Sequence, residues 1–165
     1  MSILVVGSVA LDSIRTPFGE VEEILGGSAT YFSVAASFFN DVRLVAVVGE
    51  DFPPEHVDFL VSRKVDIGGL KRVPGKTFRW KGYYEFDLND AHTTDTQLNV
   101  FEDFDPEIPE EYRDSEYVFL ANIHPALQLK VLQQIPSPRL VICDTMNFWI
   151  ENQREALLET ISHVD

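Results

Sequence analysis

A few carboxylates and one glycine pair are the groups with which this sequence could do chemistry. Asp12, Glu50, Asp51 and Asp144 could each accept a proton, and each follows a short apolar run, as do Asn122 and His124 in "ANIHP" and Thr145 and Asn147 in "DTMNFW". Gly26 and Gly27 stand directly before "SATYFSVAAS", which opens at Ser28. A glycine pair ahead of a helix leaves free backbone N–H groups and the positive end of the helix dipole facing whatever docks there. Without Cβ atoms a ligand can approach the main chain closely, although a tight turn with positive φ would make the same demand. His124 by itself reads as a structural or solvent-facing histidine, and Asp51 as either a helix cap or a site residue.

The elements that must carry these groups follow from periodicity. Ile3 to Val6, "RLVAVVG" from Arg43, "YVFLA" from Tyr117 and "RLVICD" from Arg139 are short apolar runs that suit strands buried on both faces. Helical spacing lies between them. Ser28 caps a helix running through Phe39; "PPEHVDFLVSR" aligns Val57, Leu60 and Val61; "PALQLKVLQQI" aligns Leu127, Val131 and Ile135; "ENQREALLETI" aligns Leu157, Leu158 and Ile161. Strand alternating with helix predicts an α/β fold with a doubly wound, mostly parallel, Rossmann-like sheet. The polar residues just past the strands then gather on one edge, the carboxyl ends, where such sheets bind ligands.

A second pattern interrupts the first. In "KTFRWKGYYEFD", Phe78, Trp80, Tyr84 and Phe86 fall on one face around Gly82, with Thr77, Arg79, Lys81 and Glu85 on the other. "LNDAH" turns the chain and "TTDTQLNVF" runs back as an antiparallel partner. With "FGEVEEIL" these make a small β-sheet, its strands at about 16–25 and 67–101, inserted into one α/β unit spanning 1–165. The aromatic stripe either packs on the main sheet or forms a lid that covers a ligand or clasps a second subunit.

Composition narrows the classes. At 165 residues and 45% hydrophobic, the chain can bury a sizeable core. A net charge of −14 repels phosphate backbones and argues against nucleic acid as a partner. No apolar run approaches the roughly 20 residues a bilayer needs, and the opening residues lack a basic leader, so no membrane association and a cytoplasmic location are expected. The single cysteine, Cys143, reads as a small buried thiol, and no Cys/His spacing suits zinc. "GSVA" at Gly7 does not supply G-x-G-x-x-G, and no G-x-x-x-x-G-K phosphate loop occurs.

"GSVALD", "GGSATYFSVAAS", "VVGEDF" and the aromatic strand, in that order, resemble the N-terminal half of the ribokinase-like (PfkB) carbohydrate and nucleoside kinases. The resemblance implies that Asp12 hydrogen-bonds sugar hydroxyls and that the backbone of Gly26 and Gly27, leading into Ser28, lies against the substrate. Tyr31 stands where the family signature commonly has asparagine. Asn122 or His124 replaces a glutamate often found after the third strand, and Asp144 and Asn147 fall near the transferred phosphate. The aromatic strand corresponds to the lid, through which a homodimer could form. The family's glycine-rich motif with its catalytic aspartate has no counterpart: G-A-G-D is absent, and the chain stops at "ISHVD", where relatives enter another strand. The implied function is the substrate-binding and lid portion of an ATP-dependent sugar or nucleoside kinase. ATP and Mg²⁺ then belong to the complete enzyme, with no metal site, no catalytic residue and no turnover in this chain alone. The alternative is a non-catalytic small-molecule binding or dimerisation module.

Overall fold

The first strand in the sequence lies at the centre of the main sheet. The computed structural model describes residues 1–165 and orders five parallel strands as β5-β4-β1-β8-β9. These are β1 (Ser2–Val6), β4 (Asp41–Gly49), β5 (Val65–Val73), β8 (Tyr117–Leu120) and β9 (Leu140–Cys143). Burial on both faces is why β1 reads as unbroken apolar sequence: Leu4 and Val6 face one core and Val5 the other, all three with no exposed surface. On the first side, Leu120, Ile123, Val131 and Ile135 bring in α3 (Pro125–Leu132). On the second, Ala29, Leu60 and Phe52 bring in α1 (Ser28–Ala36) and α2 (Pro54–Ser62). No helix is long and apolar enough to cross a membrane.

The small sheet has the order β3-β2-β6-β7, from β2 (Ala10–Thr16), β3 (Gly19–Gly26), β6 (Arg79–Tyr84) and β7 (Ala91–Gln97). The β2–β3 and β6–β7 pairs are antiparallel, and β2 pairs with β6 in parallel. Two boundaries differ from the sequence reading. The small sheet starts at Ala10 and not near 16, and residues 67–73 belong to the main sheet as part of β5, paired in parallel with β4. Gly68, Gly69 and the charges of "LKR" hide β5 from an apolar-run criterion. Gly69 is required because a Cβ there would press on the Leu44 carbonyl.

Helix α1 ends at Ala36, three residues before the expected Phe39, and Phe38 and Phe39 are exposed beyond it. The aromatic stripe also divides. Phe78 precedes β6 and stacks on Phe101, with ring centroids 5.2 Å apart, and Phe86 lies beyond the strand against Phe18. A register shift between Lys81 and Gly82 breaks the simple alternation on β6. After α4 (Asn147–Asn152) and α5 (Arg154–Ile161) the chain returns to the outer edge of β9. There the Asp165 N–H donates to the Val141 carbonyl at 3.1 Å, and its carboxylate accepts from the Val141 N–H at 2.9 Å.

Candidate functional site

The two sheets meet at the N-terminus of α1. Gly27 precedes that helix with φ 94°, a conformation that favours glycine. Ser28 does not cap its own helix. Ser8, almost fully buried in the loop after β1, does so from outside: its hydroxyl accepts from the Ser28 N–H at 3.2 Å and its carbonyl from the Ala29 N–H at 3.1 Å. The freed Ser28 hydroxyl accepts instead from the Asn122 N–H at 3.0 Å, which ties the segment after β8 to the same point.

The glycine pair is explained by the chain itself. A Cβ on Gly26 would overlap the Asp12 carboxylate, and one on Gly27 would overlap the Ser8 carbonyl and Val9. The neighbours that exclude a side chain at both positions are therefore protein atoms. Asp12 sits on β2 opposite Ile24 on one side and Trp80 on the other. Burial pushes its carboxyl up to about 6, and a hydrogen bond from the Gly27 N–H offsets only part of that. Tyr31, on the first turn of α1, is 57% exposed. Partial burial raises its hydroxyl, and the nearby Asp12 and Tyr84 raise it further, so the three side chains share one neighbourhood.

Asp144 flanks the opposite side. Burial raises its carboxyl, opposed by the N–H groups of Thr145 and Asn122. The Asn122 N–H donates to the Ser28 hydroxyl with the Asp144 carboxylate nearby, while its side-chain oxygen accepts from the Trp149 indole at 2.8 Å. Asp12, Gly27, Ser28, Asn122 and Asp144 are thus neighbours around the helix terminus, joined by the Ser28–Asn122 hydrogen bond. Fully buried Gln128 fixes the far end, donating to the carbonyls of Leu120, Ala121 and Asp144 at 3.2, 3.0 and 2.9 Å. Sequence reasoning passed over Ser8 and Gln128. Ser8 was findable as the hydroxyl just past the first strand, whereas Gln128 looks like any polar residue within a helix.

Other candidates fall elsewhere. His124 caps α3, its Nδ1 accepting from the Ala126 N–H at 3.2 Å, and its ring packs edge-on against Trp149. Asn147 opens α4 and is exposed. Asp51 does not cap α2, whose N-cap is Pro53. Its carboxylate accepts from the N–H and hydroxyl of Thr77 at 2.7 and 2.8 Å and pairs with Arg79 at 2.8 Å. Burial works to raise the Asp51 carboxyl, but these partners outweigh it and hold it below the usual carboxylate range.

The gathered residues suit hydroxyl groups better than phosphates. None of Ser8, Asp12, Ser28, Tyr31, Asn122 and Asp144 is a lysine or arginine, and no cluster of three His, Cys, Asp or Glu is arranged for a metal ion. The residues present do not fit Mg²⁺–ATP. Beside Tyr31 opens a groove of about 570 Å³, lined mainly by Ile24, Leu25, Val34 and Phe59, with His56 at its border.

No family model matches the chain. A curated relative, a cytidine kinase of Thermococcus kodakarensis, is 29% identical over 169 residues, covering all of this chain and 60% of its own length. The chain therefore spans about three fifths of the curated relative it matches. Among solved structures, the nucleoside kinase of Methanocaldococcus jannaschii, an archaeal member of the ribokinase family, superposes with a TM-score of 0.75 at 21% identity, over 99% of this chain and 58% of that one. The Burkholderia thailandensis nucleoside kinase, solved with inosine, gives 0.73 at 13% identity, over 98% and 57%. A sugar kinase of Pyrococcus horikoshii gives 0.70 at 16% identity, over 98% and 61%.

Proposed function

We propose that this chain, which has the fold of the N-terminal part of a ribokinase-like kinase, is the part of such an enzyme that binds a nucleoside or sugar through its hydroxyls. The observation that carries the reading is the N-terminus of α1, where the Asn122 N–H bonds to the Ser28 hydroxyl and the partly buried carboxylates of Asp12 and Asp144 lie near the Gly27 and Asn122 N–H groups. Asp12, once ionised, accepts from substrate hydroxyls, and Tyr31 stands at the mouth beside it. The similarity to a cytidine kinase and to an inosine-bound kinase favours a nucleoside over a free sugar. In the whole enzyme, ATP with Mg²⁺ would supply the γ-phosphate for one of those hydroxyls. The chain alone holds the acceptor and does not turn over, because positioning and charge stabilisation of the phosphoryl group carry that reaction. The small sheet acts as a lid over the bound molecule. Phe18 and Phe86, 70% and 78% exposed at the small sheet's tip, offer the surface for a homodimer. The reading brings with it a cytoplasmic location, where ATP is at hand.

Calorimetric titration of the chain with cytidine, inosine and ribose tests this. Binding of a nucleoside that weakens about 10- to 100-fold in Asp12→Asn is expected, since a hydroxyl bonded to a carboxylate contributes about 1.5–3 kcal/mol. Absence of binding by all three, or equal affinity in the variant, overturns the assignment.

A further inference from the structure

The strand that presents Asp12 is not held by the small sheet alone. Its parallel neighbour β6 enters that sheet at Arg79, level with Leu11, so Asp12 is one register step from the point of entry. Just before it, Gly75–Thr77 crosses the end of β4 so closely that a Cβ on Gly49 would overlap the Gly75 carbonyl and the Thr77 nitrogen. Thr77 is fully buried there. Its hydroxyl accepts from the Gly49 N–H at 3.0 Å and donates to Asp51 at 2.8 Å.

Arg79 gathers three elements from this root. Its Nη2 pairs with Asp51 after β4, its Nε donates to Glu23 on β3 at 2.7 Å, and its Nη1 donates to the Thr77 carbonyl at 3.0 Å. The guanidinium fork suits this, because its donors are fixed in one plane and cannot follow their partners independently. Glu23 is itself forced into place. It has φ 50°, unusual for a residue with a side chain, in a bulge where β2 and β3 slip register between Asp12 and Ile14. The Ser13 hydroxyl secures the bulge by accepting the Glu23 N–H at 3.1 Å. A strained backbone that aims a carboxylate at a two-sheet ion pair, one residue from Ile24 opposite Asp12, is a costly arrangement with a geometric product.

We propose that Arg79 is a positioning residue: by joining Asp51, in the turn just past β4 of the main sheet, to Glu23 on the small sheet, it sets the angle at which β2 presents Asp12 to the N-terminus of α1. The clamp stands on geometry alone. Its effect on ligand affinity rests on the function proposed above.

Hydrogen exchange and calorimetry on the full chain separate the two. Arg79→Met should speed exchange about tenfold at the Leu11 and Glu23 amides, which bond to the Phe78 carbonyl and the Ser13 hydroxyl, and leave the main-sheet amides of Gly7 and Ala121 unchanged. Arg79→Lys should recover part of the protection. Nucleoside affinity should fall about tenfold in Arg79→Met. Arg43→Met, which removes the ion pair from β4 to Asp114 in the turn before β8, serves as the control and should alter neither readout. Unchanged exchange at Leu11 and Glu23, or uniform acceleration across all amides, overturns the clamp. Faster lid exchange with unaltered affinity overturns its link to Asp12. If the unmodified chain binds no nucleoside, the functional assignment falls, and exchange at Leu11 and Glu23 still decides the clamp.

Discussion

Asp12 destabilises the fold that carries it. Its carboxyl ionises near pH 6 in the folded chain against an ordinary value of 3.8, so folding disfavours the charged form. Below about pH 4 the group is protonated in both states and costs nothing. As pH rises from there to about 6, the unfolded chain loses its proton first and stability falls, with the full loss reached above 6. Asp12→Asn should therefore raise thermal stability at pH 7.5 by up to about 3 kcal/mol, or several degrees, and leave it unaltered near pH 3.5. Melting curves at the two pH values check this, and equal shifts at both would remove the burial argument. Nucleoside affinity should move the other way in the unmodified chain, weakening as pH drops through 6 and the acceptor is protonated. The sequence pointed to Asp12 as a carboxylate soon after the first apolar run, but not to its place within β2 or to its burial, which come from the second sheet. Asp51 was as visible but ambiguous, since its partners Thr77 and Arg79 lie 26 and 28 positions away, beyond any local pattern.

Among the elements, the turn into α1 fixes the site most tightly. The sequence showed a glycine pair before a helix, but not what required it, because the Asp12 carboxylate and the Ser8 carbonyl reach it only through the fold. Gly26→Ala should cost about 1–3 kcal/mol by forcing the Asp12 side chain aside. In an Asp12→Ala background most of that cost should vanish, since the colliding group is gone. A double-mutant cycle from chemical denaturation measures the coupling, and additive losses would mean that something other than Asp12 fills the space. The parallel strands were readable because burial on both faces leaves unbroken apolar runs. Strand β5 was not, because this edge strand pairs on one side only and carries glycines where Leu44 and Tyr112 come close, with charges between, which interrupt such a run. The stripe on β6 misled in its reach: a strict two-residue period carries Phe78 and Phe86 onto the Trp80 face, whereas a register shift and the strand ends send each to a different neighbour.

Across the whole molecule, the main sheet is unevenly covered. Helix α1 reaches β1 and β8, where Phe32 stacks on Phe119, but Leu140 and Ile142 on β9 stay 37% and 44% exposed beside Ile3 and Tyr117. An apolar face next to an edge strand favours association. This face should add to any association through Phe18 and Phe86, so self-association with concentration in sedimentation velocity should weaken in Ile142→Lys; an unchanged profile would show that the patch is too small to matter. The central position of β1 bears on synthesis as well. Its neighbours are β4 and β8, so a growing chain that has released Leu4, Val5 and Val6 must wait until Leu120 has emerged before both flanks can close. At about 5–20 residues per second that interval is roughly 6–24 s. For that time a strand whose Leu4, Val5 and Val6 end up wholly buried is half-paired at best, and must be sheltered by something other than its final neighbours.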